Sequence, residues 1–347
     1  MLKGSTVFGM GLLAAVAIAG CDGDTRSAET AEDPPLAIPD SLAWFNDQVI
    51  AAPESPAVYL DRGKFFLRGE QSGAAISDYE RALALDSTLV DDRHALGELR
   101  FGIQDFEGAV REWESVLDTD SEHVPSLLSL ARVDLLLRSY DPALKRINDA
   151  LRLDSRLDDA YFLKGRLYME TGDTIKAASS FQTVVEVAPE RYDAYIQLGM
   201  LYAAAHDDLA LEFFKTARNL KPNSIEAIYD EAMFLQEHGD AEGRRYADAL
   251  ALYDLILTLD ATNASAAFNK GFVHLEYLSQ YDSAAFWFGT AIDLLPYYHQ
   301  AHFNKGLALE SMGDPQGALD AYNTALSFAP AFTPAALAKG RVIESMR

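Results

Sequence analysis

Few side chains in this sequence have the type and spacing that chemistry requires. One thiol is present, Cys21, so no disulfide can close within the chain. His299 and His302 stand three apart, which puts both imidazoles on one helix face. Two histidines without a third ligand nearby are nevertheless a poor zinc site, and ordinary first-turn polar residues are expected there. Asp118, Asp120 and Glu122 space their carboxylates like the opening of a calcium loop. The glycine and the later glutamate of such a loop are missing, so an ordinary turn is expected. Asn263-Ala264-Ser265 matches the acceptor tripeptide for N-glycosylation. There is no Gly-x-Ser-x-Gly elbow and no His-Glu-x-x-His pair. The sole Gly-x-Gly, at Gly9 and Gly11, lies in an apolar run rather than in a nucleotide loop. No catalytic residue, cofactor or metal is expected, and the chain reads as a non-enzyme.

The 347 residues carry 29 Lys+Arg against 53 Asp+Glu, a formal charge of −24. Such a chain repels nucleic acid and anionic headgroups unless it holds a local basic patch. Apolar residues make up 49%, enough for a substantial core. At the amino end, Lys3 precedes an apolar run from Val7 to Ala19, too short to span a bilayer comfortably but suited to a signal-peptide core. Ile18-Ala19-Gly20 leads directly into Cys21. That run resembles the lipobox of bacterial lipoproteins. The resemblance implies a signal peptide over residues 1–20, cleavage before Cys21, a diacylglycerol on its sulfur and an acylated new amino terminus, and so a membrane anchor. Residues 21–39 are acidic and poor in large apolar side chains, and are expected to be a flexible tether. Residues 40–55 are expected to hold a short helix capped by Asp40 or Ser41. The location implied is the bacterial cell envelope, with the outer membrane preferred to the inner one and the body either periplasmic or surface-exposed.

The elements that must carry any site are set by a repeat. A small residue recurs at Gly63, Gly97, Ala131, Gly165, Gly199, Ala232, Gly271 and Gly306, and the first five are each 34 residues apart. An alanine follows each, at Ala75, Ala109, Ala143, Ala177, Ala210, Ala249, Ala284 and Ala318. Four positions on comes a large apolar residue: Tyr79, Trp113, Ile147, Phe181, Phe214, Tyr253, Phe288 or Tyr322. Apolar residues every three or four positions make one face of each helix apolar, a face that only stacked hairpins can cover. The units resemble tetratricopeptide repeats. That implies an all-α, right-handed α-solenoid of about eight helix-turn-helix repeats over residues 56–332, with a capping helix over 333–347. Repeat five is one residue short, repeat seven one long, and repeat six has five extra residues around Gly239–Tyr246. Arg100 and Asp134 occupy positions that are usually large and apolar, so repeats two and three are expected to pack more loosely.

In tetratricopeptide arrays the first helix of each repeat lines a concave groove. Carried onto this sequence, the resemblance implies a basic half containing Lys64, Arg68, Arg132 and Arg166, with His94, Glu98 and Phe162 among them. It implies an apolar and amide half containing Ile196, Met200, Tyr229, Met233, Phe268, Asn269, Phe272, Phe303, Asn304 and Leu307. Asn269 and Asn304 recur in Phe-Asn-Lys-Gly contexts, and a side-chain amide can hold an extended peptide backbone through its donor and its acceptor. Lys270 and Lys305 belong to a variant of the repeat. The expected function is a lipid-anchored envelope scaffold or adaptor for protein or peptide partners, with no nucleic acid. The alternative, a ligand-capturing surface lipoprotein, fits less well because the largest insertion is five residues.

Overall fold

The structure is a computed structural model that describes residues 41–240 and 242–347. Cys21 and the expected signal peptide and tether lie outside the described residues. Those described form eighteen α-helices and no strand. Helix α1 (Leu42–Ala51) precedes eight helical hairpins: α2 (Pro56–Arg68) with α3 (Ser72–Leu85), α4 (Val90–Gly102) with α5 (Phe106–Thr119), α6 (Val124–Leu136) with α7 (Tyr140–Leu153), and α8 (Asp158–Glu170) with α9 (Thr174–Val187). Then come α10 (Tyr192–Ala204) with α11 (Leu209–Leu220), α12 (Ile225–Glu237) with α13 (Arg244–Leu259), α14 (Ala264–Phe272) with α15 (Tyr281–Leu294), and α16 (His299–Ser311) with α17 (Pro315–Phe328). Helix α18 (Thr333–Ser345) closes the series. The fold is an α-solenoid. No helix among the described residues is long and apolar enough to cross a membrane.

The small residue and the large one of each unit meet. A Cβ placed on Gly97 would lie 2.3 Å from Nε1 of Trp113, and on Gly199 2.4 Å from the Phe214 ring. Gly165, Gly271 and Gly306 face Phe181, Phe288 and Tyr322 in the same way. The aromatic of the second helix thus fills a socket left by the glycine of the first. Trp113, Phe181, Phe288 and Tyr322 are completely buried there. Burying such a side chain contributes roughly 2–3 kcal/mol each, which is why the hairpin closes at this point.

Helix ends follow local chemistry. The side chains of Asp105, Asp173, Ser224, Asn263 and Asp314 accept the backbone N–H three residues on, satisfying donors a helix start leaves open. The turn inside each hairpin needs a left-handed residue, supplied by Gly172 and Gly313 in repeats four and eight but by Glu70, Gln104, Arg138, His206 and Ser279 in five others.

The length changes are absorbed in three ways. In repeat seven the extra residue becomes a π-turn, Val273–Tyr277, continuous with α14. Repeat five has a 12-residue second helix, α11, without a side-chain cap. In repeat six, the insertion lengthens the turn and extends α13 to 16 residues. Gly239 is needed in that turn because Tyr246 packs over it, stacked on Tyr277 at 4.6 Å.

Repeats two and three are not loosened by Arg100 and Asp134. Arg100 is tied to Asp105 at 2.8 Å and to Glu80, and Asp134 accepts from Nε of Arg146 at 2.9 Å. Ion pairs stand there in place of apolar contacts. A further polar clamp joins three of the hairpins to the helix before them, with a cation bonding the residue sixteen positions earlier. Arg62 donates to Asn46, Lys164 to Asn148, and Lys270 to Asp254. Asn46 lies in α1, so α1 packs on the first repeat as a second helix would.

Candidate functional site: the first-helix face

Several side-chain hydrogen bonds join the first helix of one repeat to the first helix of the next. Ser129 donates to Glu98, Tyr192 to Glu226 at 2.9 Å, Asn269 to Tyr229 at 2.8 Å, and Arg341 to Glu310 at 2.8 Å. On the second-helix row, Arg245 of α13 reaches Asp208 at the cap of α11 at 2.9 and 3.0 Å. The first-helix row is the face expected to line a groove. Every residue expected to line a groove, except for Arg68 at the last turn of α2 and Phe272 at the end of α14, lies along the middle of the first helices.

The basic half is narrower than its sequence implies. Lys64 and Arg68 are exposed, with Arg68 set over the ring of Phe65. Arg132 is already spoken for. Its guanidinium donates to both carboxylate oxygens of Glu98, at 2.9 and 3.1 Å, and lies 4.7 Å from the centroid of Phe101. That cation is neutralised within the fold and stacked on an aromatic face, so it is not the free charge expected. Arg166, half-buried one repeat further on, makes no hydrogen bond or ion pair to any described residue. The unspent cations of this half are therefore Lys64, Arg68 and Arg166.

The other half mixes aromatic surface with polar atoms. Met200 is 49% exposed. Phe268 packs among Phe272, Phe288 and Tyr298, with centroids 4.9–6.4 Å apart, and Phe303 packs on Tyr322 and Phe332. Ile196 is buried, and Leu307 packs between the cores of repeats seven and eight. These apolar side chains hold repeats together and show only part of their surface. Both asparagines are nearly buried. The Asn269 amide donates to Tyr229 and touches the Met233 sulfur, and that of Asn304 donates to the Gln300 carbonyl. Their N–H groups are thus used internally, while no described residue donates to either carbonyl oxygen. Lys270 is buried between Asp254 and the ring of Trp287, 3.7 Å from its centroid.

One residue of this face escaped the sequence reading. Asp230 stands two positions before Ala232, the register that Asn269 and Asn304 hold before Gly271 and Gly306. Its carboxylate has no hydrogen-bond or ion-pair partner among the described residues. Burial, reinforced by the neighbouring Glu226 charge, pushes its pKa up to about 7. Burial also pushes the phenol of Tyr298 up to about 12. The shared register was the available signal for Asp230, had all eight positions been lined up rather than the asparagines alone.

Two arrangements look like chemistry and are not. Asp91, His123 and Ser126 line up as carboxylate, imidazole and hydroxyl, with Nε2 3.2 Å from Asp91 and Nδ1 2.9 Å from Oγ. Ser126 is fully buried in the first turn of α6, where its N–H bonds back to His123, so no substrate carbonyl could reach Oγ. His299 and His302 turn to different neighbours, Phe332 and the Pro296 carbonyl. Asp120 accepts the N–H of Glu122 in a tight turn, and Asn263 caps α14. A cleft of about 720 Å³ between α5, α6 and α7 is lined by Lys145, Arg146, Asp149 and Arg152. Its three cations are spent on Asp149 and Asp134.

Tetratricopeptide repeat family models match residues 158–191 and 299–332. Those two units, α8–α9 and α16–α17 with the turns that follow, are tetratricopeptide repeats. Anaphase-promoting complex subunit 3 of Schizosaccharomyces pombe is 29% identical over 197 residues, 56% of this chain and 29% of the relative. BBSome complex member BBS4 of Bos taurus is 24% identical over 222 residues, 55% of this chain and 42% of the relative. The matched segments thus span less than half the length of either relative. Among solved structures, the C-terminal part of a TPR repeat-containing protein from Cytophaga hutchinsonii aligns with a TM-score of 0.51 at 18% identity, over 65% of this chain and 91% of that one. A tetratricopeptide repeat protein from Parabacteroides merdae aligns with a TM-score of 0.50 at 16% identity, over 74% of this chain and 99% of that one. At these identities the structural likeness carries the fold alone.

Proposed function

We propose that this chain is a scaffold or adaptor that holds protein or peptide partners on its first-helix face, anchored in a bacterial cell envelope by lipid on Cys21. The observation that supports it best is the set of charged and polar atoms left unspent on that face. Arg166 and Lys64 lie towards the amino end, and Asp230 and the carbonyl oxygens of Asn269 and Asn304 towards the other. Elsewhere the fold pairs its inter-repeat charges closely, so groups left open along one row are available to a partner chain. Two relatives bear the names of members of multiprotein complexes, which fits an adaptor's role. The lipobox resemblance supports the anchor, with the outer membrane as the preferred location.

The test is affinity capture from detergent-solubilised membranes with the full-length chain as bait, compared with Arg166→Glu and Met200→Glu baits. Defined partners that are lost from both variants support the reading. Equal recovery by all three baits moves binding off this face. Cys21→Ser tests the anchor separately: the chain should leave the membrane fraction, and retention there would refute lipidation at Cys21.

A further inference from the structure

We infer that His206 and His238 form a two-histidine site for a transition-metal dication, with zinc as the reference ion, that staples repeat five to repeat six. His206 is the left-handed turn residue of repeat five, and His238 ends α12 one repeat later. Nδ1 of His206 lies 3.1 Å from Nε2 of His238. Two imidazole nitrogens bound to one cation at about 2.0–2.1 Å stand roughly 3.3–3.4 Å apart in a tetrahedral site and about 2.8–3.0 Å apart at a right angle, so the pair lies within a few tenths of an ångström of the separation a shared ion requires.

The proton positions favour the same reading. Nδ1 of His238 is 3.1 Å from the Phe234 carbonyl, which can only accept, so that nitrogen carries the proton and Nε2 presents its lone pair outward. The His238 ring is held in place by stacking on Phe234 at 4.3 Å. A ligand histidine whose other N–H is tied to a backbone carbonyl is the usual outer-shell arrangement in metal sites. His206 donates its Nδ1 proton to His238 in the absence of an ion. Its ring is exposed, so the proton can move to Nε2 and free Nδ1 for the cation, with no net proton released.

The surroundings suit a dication. Asp208 interacts with His238, and Arg245 is occupied by Asp208 at 2.9 and 3.0 Å and by the His238 carbonyl at 2.8 Å. No third protein ligand stands with the two imidazoles among the described residues, so water completes the coordination. Imidazole selects zinc, copper or nickel over the oxygen-seeking magnesium and calcium. The other histidines do not offer this geometry. His94 and His123 are separated by the Ser126 hydroxyl, and His302 faces a carbonyl. The site falls between repeats five and six, two of the three repeats whose lengths depart from 34, so a metal there would cross-link an irregular part of the stack.

The experiment is thermal unfolding of the full-length chain near neutral pH with zinc chloride alone, against magnesium chloride. The expected result is a saturable rise in Tm with zinc and none with magnesium, lost in both His206→Gln and His238→Gln and retained in His302→Gln. Glutamine is tolerated at this kind of turn, since Gln104 holds the matching position with φ of 67°. Absence of a zinc shift, or an equal shift in either glutamine variant of the pair, overturns the site. Copper-loaded wild-type chain gives a second readout that does not depend on folding of a variant. Electron paramagnetic resonance should show coupling to two nitrogens at one equivalent, and a spectrum without nitrogen coupling would overturn it as well.

Discussion

Replacing Asp230 with asparagine should stabilise this protein, and only above a defined pH. In the fold Asp230 titrates near 7, against 3.8 for a free aspartate, because burial and the Glu226 charge penalise its ionised form. Between those values the folded chain holds a proton that the unfolded chain has released, so stability falls as pH rises from about 4 to about 7 and stays lowered above. The gap of roughly three pH units corresponds to a ceiling of about 4 kcal/mol at 1.36 kcal/mol per unit. Asp230 retains some contact with solvent, so about 2 kcal/mol is the expected cost of its charge. Asp230→Asn removes the charge at constant shape. The stabilisation should be near zero around pH 4, grow through pH 5–7 and level off above about pH 7.5. Denaturant unfolding of both proteins across this range measures it, with hydrogen exchange of α12 amides as a local check because a repeat array can open piecewise. Glu226→Gln should shift the wild-type curve towards lower pH. A difference between the wild-type chain and the Asp230→Asn variant that is the same at pH 4 and pH 8 would refute the argument, and so would a destabilised variant at pH 8.

Two further substitutions test the packing. Gly97→Ala places a methyl against Trp113, which is fully buried and donates to the His94 carbonyl at 3.2 Å. Overpacking and a strained hydrogen bond should outweigh the helix gain, for a net loss of about 2 kcal/mol in denaturation. Gly340→Ala, the same register in α18, meets nothing within 4 Å and should instead stabilise by about 0.5–1 kcal/mol. Equal signs for the two would discredit the socket. Gly289→Asp puts a carboxylate sixteen residues before Lys305, where Asp254 stands before Lys270, and Lys305 Nζ is 3.6 Å from the new Cβ. It should stabilise by about 0.5–1 kcal/mol, and most of that gain should vanish in a Lys305→Met background.

The hairpins were legible because their signal is periodic. Gly97 and Trp113 announce a socket by their types and their sixteen-residue spacing, and the same pair recurs often enough to fix the register. What periodicity conceals is the partner across the stack. Arg100 and Asp134 looked like weak points because an apolar position holding a charge usually is one. Arg146, Asp105 and Glu80, which complete them, stand in neighbouring helices that the repeat pattern does not single out. The paired histidines were missed for a related reason. Attention to i, i+3 spacing selected His299 and His302 within one helix, whereas stacking brings together residues about one repeat apart, such as His206 and His238.

The same rule explains which first-helix cations remain open. One register of the first helices reads Lys64, Glu98, Arg132, Arg166, Met200, each 34 residues from the next. Neighbours on that ladder face one another, so a charge is satisfied when an opposite one stands one rung away. Glu98 has a cation on either side and takes Arg132, leaving Lys64 exposed. Arg166 has Arg132 on one side and Met200 on the other, so no acceptor stands beside it on this register. Its lack of a partner is thus a consequence of the order of residues along the ladder rather than of a poor fit. A carboxylate supplied from outside the chain would meet at Arg166 the contact that Glu98 makes with Arg132, so under the proposed function an acidic segment of a partner would gain most there.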